Sequence, residues 1–268
     1  MIYVSDIIRL ENPNDFKAHF ARYNGHEQPL EVLARSETGW KSWQEYRPNR
    51  DEFSRPRIFS LVKLHYLTDK WLFGGIWDIL ERLPDRYVVR QSTDYAGFIG
   101  RLAIDYAYRQ RGTRVNLENH FTQMQVFQVM EEPYRGQPFP GYSSVDLSFE
   151  ELETIIRNDR PDWRTALVNV KGIYLITDTS TGRRYVGSAY GTQGIWSRWC
   201  NYVGSGHGGN VELRELAKDA DLSYCRANFR IALIEDIPFR ESDEHILARE
   251  GFWKRLLLTR GQYGLNRN

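Results

Sequence analysis

A pair of short β-type segments joined by turn residues is the feature that most constrains how this chain can fold. In residues 172–177 (GIYLIT), successive side chains alternate between two faces, as in a β-strand. Residues 178–182 (DTSTG) are turn formers, and residues 183–187 (RRYVG) return as a second strand. The sequence therefore predicts a β-hairpin that carries Tyr174 on one strand and Tyr185 on the other. Because aromatic residues favour strands in any protein, the hairpin taken alone favours a purely structural explanation.

Length and composition indicate an ordinary globular protein. The 268 residues suffice for one large domain or two modest ones, with 41% hydrophobic and 26% charged residues. The chain has no apolar run of membrane-spanning length and no signal-peptide pattern, and Cys200 and Cys225 lack metal-site or disulfide spacing. We therefore expect a cytoplasmic protein without membrane association. A net charge of +1 without a basic block permits nucleic-acid binding but does not indicate it.

The first half of the chain changes from helical to β-type patterning near residue 58. Before that point, Asn12-Pro13 begins a predicted short helix that ends before Asn24, and residues 29–46 are predicted to hold one or two short helices. Gly74-Gly75 predicts a bulge or a close backbone approach within a strand. Together the β-type segments predict a small barrel or a strongly curved sheet. These segments are 58–64, 71–77, 87–90, 97–108 and 124–130.

A loop rich in proline and glycine, residues 133–144, follows the β-type segments. Ser148 and Glu151 then have the spacing of a capping box, which predicts a helix to about residue 157. We place the domain boundary between residues 145 and 168. The predicted domains are a β-rich domain, 1–165, and a second domain, 166–268.

The region after the hairpin places an arginine beside a tyrosine. Residues 195–203 are predicted to form a helix on which Arg198 and Tyr202 are neighbours one turn apart. Such an arginine is either a surface residue stacked on its aromatic neighbour or a planar, permanently charged group for a phosphate. Residues 204–210 are glycine-rich but lack the Lys-Ser/Thr ending of a nucleotide-binding loop, so they predict a connection. A helix and a strand are predicted next, at 211–220 and 228–235.

Glu250 lies on the core-facing side of the last predicted helix. That helix spans 243–258, with an apolar stripe formed by Ile246, Trp253 and Leu257. Glu250 falls on the same stripe, and a carboxylate there needs a cation, hydrogen-bond donors or water. Two interpretations stay open: a functional partner such as a metal ion, or an ion pair with Lys254 one turn later.

Taken together, residues 170–268 resemble the GIY-YIG nuclease domain. The motifs that name the family are Gly172-Ile173-Tyr174 and Tyr185-Val186-Gly187, and the further matching positions are Arg198, Tyr202, Glu250 and Asn266. The resemblance implies an α+β fold, in which a three-stranded antiparallel sheet is flanked by helices. Here the β-rich, barrel-like N-terminal domain precedes it. The lysine that some family members carry shortly after the second motif is absent between Ser188 and Arg198.

The resemblance implies hydrolysis of a DNA phosphodiester bond with one divalent metal ion, Mg²⁺ or Mn²⁺, held by Glu250. Tyr174 would take the proton from the attacking water, helped by Tyr185. Because a phenol with a pKa of ~10 is a poor base at neutral pH, it needs nearby cations. Other residues would hold the phosphate or brace the site: Arg198, Tyr202 and Asn266. Arg183 or Arg184 would supply a phosphate contact in place of the missing lysine.

No family is recognised in residues 1–165, which we expect to recognise a double-stranded DNA target. Trp71 and Trp77, with His65 and Tyr66 nearby, either line a pocket that stacks a flipped or modified base or belong to the barrel core. The favoured function is a restriction or phage-defence endonuclease, with a homodimer supplying two active sites for a double-strand cut. The alternatives are a DNA-repair or mobile-element nuclease and a non-catalytic nucleic-acid-binding module. A protein partner for the N-terminal domain is a further alternative.

Overall fold

The computed structural model describes residues 1–217 and 222–267, which fold into two compact units, Met1–Tyr134 and Arg135–Asn268. Each unit contains one β-sheet with accompanying helices, so the fold is of the α+β class. The division lies at residue 134, earlier than the predicted boundary between 145 and 168. In the described part of the chain, no helix is both long enough and apolar enough to cross a membrane.

The first unit is built on a seven-stranded mixed sheet that curls into a half-barrel. Its strands are β1 (Phe16–Ala21), β2 (Arg57–Lys63), β3 (Lys70–Arg82), β4 (Tyr87–Gln91), β5 (Leu102–Asp105), β6 (Arg114–Asn116) and β7 (Gln125–Val129). The order is β6-β1-β2-β3-β5-β7, with β4 paired to β3. Strands β1 and β2 are parallel, and the other pairs are antiparallel. The helices are α1 (Val4–Ile7), α2 (Pro29–Arg35) and α3 (Glu37–Glu45).

The predicted bulge in β3 is confirmed. The register of β2 against β3 shifts by one residue at Gly74, which has no partner on β2. Trp40 of α3 packs against this point, and its indole N–H donates to the Gly74 carbonyl at 2.8 Å. A Cβ at position 74 would lie 2.6 Å from the indole ring, so only glycine permits this approach.

Strand β1 corrects the prediction of a short helix after Asn12-Pro13. Only a 3₁₀ turn, Pro13–Asp15, follows Asn12, and the chain then enters the sheet between β2 and β6. The helix was inferred from the spacing of Phe16, Phe20 and Tyr23. Both faces of β1 are buried, and a strand of that kind lacks the polar alternation that would distinguish it from a helix.

Trp71 and Trp77 belong to the core of the first unit. Their exposed fractions are 1% and 3%, and they pack in separate apolar clusters. The Trp71 indole N–H donates to the Tyr106 carbonyl at 2.9 Å. Trp77 also lines a cavity of about 370 Å³ in this unit, and base stacking by these residues stays a prediction. The alternative, that they are barrel core, describes them.

The second unit contains a four-stranded antiparallel sheet in the order β10-β9-β11-β8. The strands are β8 (Asp146–Ser148), β9 (Val170–Asp178), β10 (Arg184–Ala189) and β11 (Phe229–Pro238). The predicted sheet had three strands, and β8 adds the fourth. The helices are α4 (Phe149–Arg157), α5 (Pro161–Val168), α6 (Gly194–Ser205), α7 (Val211–Leu216), α8 (Ser223–Asn228) and α9 (Asp243–Leu256). Residues 218–220, which end the helix predicted at 211–220, lie outside the described residues.

Residues 135–168 lie in the second unit because their apolar side chains complete its core. Phe149, Leu152 and Trp163 of α4 and α5 are buried in one cluster with Tyr174 of β9. The capping box between Ser148 and Glu151 begins α4 as predicted. A boundary drawn after residue 165 would remove this side of the core from the sheet that it covers.

The predicted hairpin is confirmed, and its alternating residues divide between the two faces of the sheet. Tyr174 and Tyr185 lie on the face covered by α4 and α6, whereas Ile173 and Val186 pack against Ile246 of α9. Strands β9 and β10 pair so that Gly187 lies opposite Tyr174. The hairpin's turn residues are held by hydrogen bonds from Ser180 and Thr181 to the buried Asp178 carboxylate, at 2.6–3.1 Å.

Candidate active site

Tyr174, Arg198 and Tyr202 form a hydrogen-bonded cluster between β9 and α6. The two phenol oxygens are 3.0 Å apart. Arg198 donates from Nε to the Tyr174 oxygen at 2.9 Å and from Nη2 to the Tyr202 oxygen at 3.3 Å. Its Nη1 donates to the Gly208 carbonyl at 2.9 Å, and its guanidinium lies 5.1 Å from the centre of the Tyr202 ring. The predicted helical spacing therefore places Arg198 beside Tyr202, and the packing of α6 on β9 brings Tyr174 to both.

Gly187 makes room for this cluster on the neighbouring strand. It lies opposite Tyr174, and a Cβ at position 187 would overlap the phenol ring and hydroxyl of Tyr174. Any larger residue would therefore push the tyrosine away from Arg198. The position of Tyr174, in the first motif, thus explains why the second motif ends in glycine at position 187.

Both phenols of the cluster are held in the neutral form at neutral pH. Burial raises the pKa of Tyr174, and the nearby Tyr185 raises it further, against the opposing effect of Arg198. Burial also raises the pKa of Tyr202. Arg198 stays charged, because the neighbouring phenols raise its pKa more than burial lowers it. The cluster is therefore a fixed cation surrounded by neutral phenols.

Glu250 lies on the opposite face of the sheet, on α9, where two donors contact its carboxylate. Ser188 of β10 donates to Oε2 at 2.6 Å, and Lys254 lies 2.7 Å from Oε1. Its place on the apolar stripe is confirmed, since Ile246 is buried and Trp253 and Leu257 pack against the same cluster. The Glu250–Lys254 ion pair, one of the two interpretations from the sequence, is present.

The arrangement around Glu250 fits a single-carboxylate cation site. Glu250 and the Ser188 hydroxyl together offer oxygen ligands, which Mg²⁺ and Mn²⁺ prefer. Among residues 1–217 and 222–267, no group of three or more His, Cys, Asp or Glu side chains could hold a metal. A divalent ion would therefore take its other ligands from water and substrate. Lys254 contacts the same carboxylate and would compete with that ion.

Residues from both faces of the sheet line an open groove of about 350 Å³. It follows β10, which is an edge strand, so side chains from both faces reach it. Tyr185 and Arg198 contribute from the α6 side, and Ser188 and Glu250 from the α9 side. Tyr174 has no exposed surface and lies beneath Arg198, whereas Tyr185 is 8% exposed and lines the groove. The groove thus places a cation and a carboxylate around one space.

Asn266 braces the edge strand from the end of the chain. Its side-chain oxygen accepts from the Val186 N–H at 2.9 Å, and its side-chain nitrogen donates to the Val186 carbonyl at 2.8 Å. Val186 lies between Tyr185 and Gly187, so this pair of bonds fixes the strand that carries both. Asn266 is buried and is not among the groove-lining residues.

Arg183 and Arg184 are not brought to the groove. Arg183 donates to the Gly264 carbonyl at 2.8 Å, and Arg184 is exposed beside the same terminal segment, where its carbonyl accepts from the Leu265 N–H. Neither lines the groove. The groove-lining residues that the sequence did not indicate include Ser188, Tyr190, Ser197 and Asn201. Only the alternation of β10 could have indicated Ser188, since it falls on the α9 face with Val186.

Comparisons with known proteins give one similarity. No family model matches the chain, and no curated protein matches it. Among solved structures, the catalytic domain of the homing endonuclease I-TevI is similar, at 28% sequence identity. The similarity covers 37% of this chain and 98% of that one, with a TM-score of 0.28. A similarity with this TM-score does not establish a shared fold.

Proposed function

We propose that this chain is a metal-dependent DNA endonuclease that hydrolyses a phosphodiester bond in the groove along β10. The observation that carries the proposal is the placement of Arg198 and Glu250 around one open groove at the sheet edge. A phosphodiester presents non-bridging oxygens that a planar guanidinium binds in a fork. Its hydrolysis also needs charge stabilisation at the leaving oxygen, which a carboxylate-held cation can supply.

Glu250 and Ser188 would hold Mg²⁺ or Mn²⁺ in this proposal. Such an ion, when bound, neutralises charge on the scissile phosphate and the leaving group. Arg198 binds the non-bridging oxygens, and Tyr202 keeps the guanidinium oriented toward the groove. Asn266 keeps β10 in register, so that Tyr185 stays on the groove wall. The three N–H bonds of Arg198 fix its position before the substrate arrives.

Tyr174 accepts the proton of the attacking water as a phenolate in this scheme, after its own phenol proton has passed to solvent, and Tyr185 orients that water from the groove wall. Because Tyr174 has no exposed surface, water reaches its phenol only through a local opening of the side chains that cover it, while Arg198 keeps its place. Once Arg198 binds a phosphate, its positive charge still lies close to Tyr174 and favours the phenolate. The raised pKa of Tyr174 makes this assistance necessary.

The biological setting that we favour is restriction or phage defence on double-stranded DNA, with the first unit recognising the target and sensing base modification. A homodimer would supply the two active sites of a double-strand cut. DNA repair and mobile-element transfer use the same chemistry and are the alternative settings. The first product formed on supercoiled plasmid distinguishes the two modes of cleavage. Nicking by a monomer gives a nicked circle, and double-strand cleavage by a dimer gives linear DNA.

A plasmid cleavage assay tests the chemistry. The full-length chain is incubated with supercoiled DNA from methylating and non-methylating hosts, with Mg²⁺, Mn²⁺ or EDTA. We expect metal-dependent nicks or breaks that Glu250→Gln and Tyr174→Phe each reduce at least about 100-fold. Glu244→Gln is the matched control, because Glu244 lies on α9 but does not line the groove. Cleavage by Glu250→Gln at the rate of the unsubstituted chain would refute the proposal.

A non-catalytic nucleic-acid-binding module is the second candidate, and the Glu250–Lys254 ion pair favours it. In that case Lys254 permanently occupies the carboxylate. The chain would then bind DNA equally well with Mg²⁺ and with EDTA and would leave it intact on every substrate. Cleavage by the unsubstituted chain excludes this candidate.

A further inference from the structure

The first unit contains a large cavity that the proposed cleavage chemistry does not use. Its volume is about 1000 Å³, and it lies between β1, the segment containing α2 and α3, and the chain around β6. A volume of this size is within the range of small-molecule sites. The lining combines one buried histidine, several arginines and three large aromatic residues.

A neutral histidine lines this cavity. His19 is 4% exposed, and its Nδ1 lies 2.8 Å from Oε1 of Gln44. Ser60 also donates to that amide oxygen, so the oxygen is an acceptor and His19 Nδ1 carries the proton. Burial lowers the pKa of His19 to about 3, which keeps the ring neutral. Its Nε2 therefore offers a lone pair to a hydrogen-bond donor.

A nearly buried arginine lines the same cavity. The Arg114 side chain is 6% exposed, and it bonds Glu52 and the Tyr46 carbonyl, each at 3.0 Å. Its guanidinium lies 4.6 Å from the centre of the Phe53 ring. Within the described parts of the chain, its buried Nε–H has no acceptor. Arg114 lines the cavity, and its Nη1 and Nη2 each carry a second N–H that an oxygen of a ligand could accept.

Aromatic side chains give the cavity stacking surfaces. Trp43 is partly buried, whereas Tyr23 and Tyr46 are 56% and 64% exposed. A planar ring that enters beside them would be stacked and partly desolvated. The cationic lining residues Arg22 and Arg111 would lie near any phosphate that accompanies the ring, a role that the long arginine side chains suit.

We propose that this cavity binds a nucleobase that is extruded from a DNA strand. A nucleobase is planar and carries both hydrogen-bond donors and acceptors. It therefore matches the aromatic rim, the Nε2 acceptor of His19 and the donors of Arg114, where an aliphatic or purely anionic ligand would use only some of them. The inference rests on the proposed action on DNA and assigns the target-reading step to one site. A free nucleotide has the same chemistry, and the experiment separates the two sources.

Binding of mispaired DNA tests this assignment. The full-length chain, in EDTA, is titrated with a fluorescent 30-base-pair duplex and with duplexes that each carry one mispaired A, C, G or T. Mispairing lowers the cost of extrusion, so at least one of the mispaired duplexes should bind about tenfold or more tightly than the paired one. The readout is binding in the absence of metal, so it does not depend on whether the chain cleaves DNA.

Variants connect that gain to the cavity. Tyr23→Ala and Trp43→Ala should remove most of the gain for mispaired DNA and change the affinity for paired DNA by less than about threefold, because stacking contributes only to the extruded base. Trp43→Phe keeps an aromatic face and should restore part of the gain. Phe127→Ala is the control, because Phe127 is also half exposed in the first unit but does not line the cavity. Tyr23 is exposed, so its variant stays informative if Trp43→Ala fails to fold.

Three results would overturn the assignment. One is equal affinity for paired and mispaired DNA, and another is a gain that survives in Tyr23→Ala. The third is binding of dAMP, dCMP, dGMP or TMP to the cavity without any gain for mispaired DNA, which would make the occupant a free nucleotide. If the unsubstituted chain cleaves no DNA but still binds mispaired DNA more tightly than paired DNA, the nuclease proposal is refuted and the base-binding site is supported.

Discussion

The groove of the second unit and the cavity of the first unit use the same residue types in opposite ways. In each, an arginine lies against an aromatic ring, Arg198 at 5.1 Å from Tyr202 and Arg114 at 4.6 Å from Phe53. All three guanidinium nitrogens of Arg198 donate to protein acceptors. In the first unit, the buried Nε–H of Arg114 has no acceptor among the residues that the structure describes.

This difference corresponds to two functions, stabilisation of a transition state and recognition of a ligand. A group that stabilises charge in a transition state is most effective when its own protein holds it rigidly beforehand. A group that recognises a ligand has to keep hydrogen-bonding capacity for that ligand. The groove is therefore organised like a reaction site and the cavity like a recognition site. Four substitutions test that contrast.

Replacement of Arg198 by lysine should have the largest effect. Lysine keeps the charge but cannot reach both phenols and a phosphate in one plane, so cleavage should fall by about 10²–10³-fold. The decrease should appear in kcat, with DNA affinity nearly unchanged. Arg164→Lys, on the exposed surface of the same unit, is the control. If Arg198→Lys cleaves DNA as fast as this control, the groove is not the reaction site.

Replacement of Gly187 by alanine should destabilise the second unit by about 1–3 kcal/mol, because the new Cβ overlaps the Tyr174 phenol. Denaturant unfolding measures the change. Gly204→Ala, within α6, adds a Cβ that meets no atom within 4 Å and should be neutral or stabilising. Equal stability of the two variants would show that the position of Tyr174 does not depend on Gly187.

The neutral histidine of the cavity should make the first unit acid-sensitive. The folded pKa of His19, about 3, lies below the ordinary 6.5, so the unfolded chain binds the proton first as pH falls. Stability is complete above pH 6.5 and is lost progressively toward pH 3. From pH 7 to pH 5 the free energy of unfolding should fall by about 2 kcal/mol through this residue. Denaturant unfolding at pH 7 and pH 5 measures this change. In His19→Gln, the free energy of unfolding should fall by about 2 kcal/mol less than in the unsubstituted chain.

Replacement of Lys254 by methionine should have the smallest effect. It removes the cation that contacts Glu250 Oε1 at 2.7 Å and keeps most of the aliphatic packing. If a metal ion binds there, the Mg²⁺ concentration for half-maximal cleavage should fall about threefold, because the metal ion no longer has to displace the lysine from a largely buried carboxylate. Lys171→Met, on β9, serves as control because Lys171 pairs with Asp243 instead. A higher Mg²⁺ requirement in Lys254→Met would contradict competition between the lysine and the metal.

The candidate reaction site was predicted more completely than the fold around it. The sequence predicts eight site positions in the second unit, and the structure brings Tyr174, Arg198 and Tyr202 into hydrogen-bond contact but leaves Arg183 and Arg184 away from the groove. Helical spacing was enough for Arg198 and Tyr202 because neighbours one turn apart always share a face. The Ser188 contact to Glu250 was not predicted, because it joins residues 62 positions apart through the packing of α9 on β10.

The first unit shows the reverse. Most of its strands could be predicted, apart from β1 and β6, whereas its cavity could not, since the lining residues come from separate stretches of the chain. Trp71 and Trp77 were considered for base stacking because aromatic content is visible in a sequence and depth is not. The tryptophan that lines the large cavity is Trp43 on α3, beside the buried Trp40, and Tyr23 and Tyr46 line it too.

The sequence by itself determined the hairpin, the α6 arginine–tyrosine pair and the stripe that carries Glu250, because these follow from backbone periods and turn chemistry within a few residues. Tertiary structure decided which of these groups meet. Residues 135–168 complete the core beneath Tyr174, and β10 lies at the sheet edge, where Arg198 and Glu250 reach one groove from opposite faces. Whether a side chain is buried, and whether a strand lies at the sheet edge, depends on how distant segments pack. Local sequence patterns do not determine that packing.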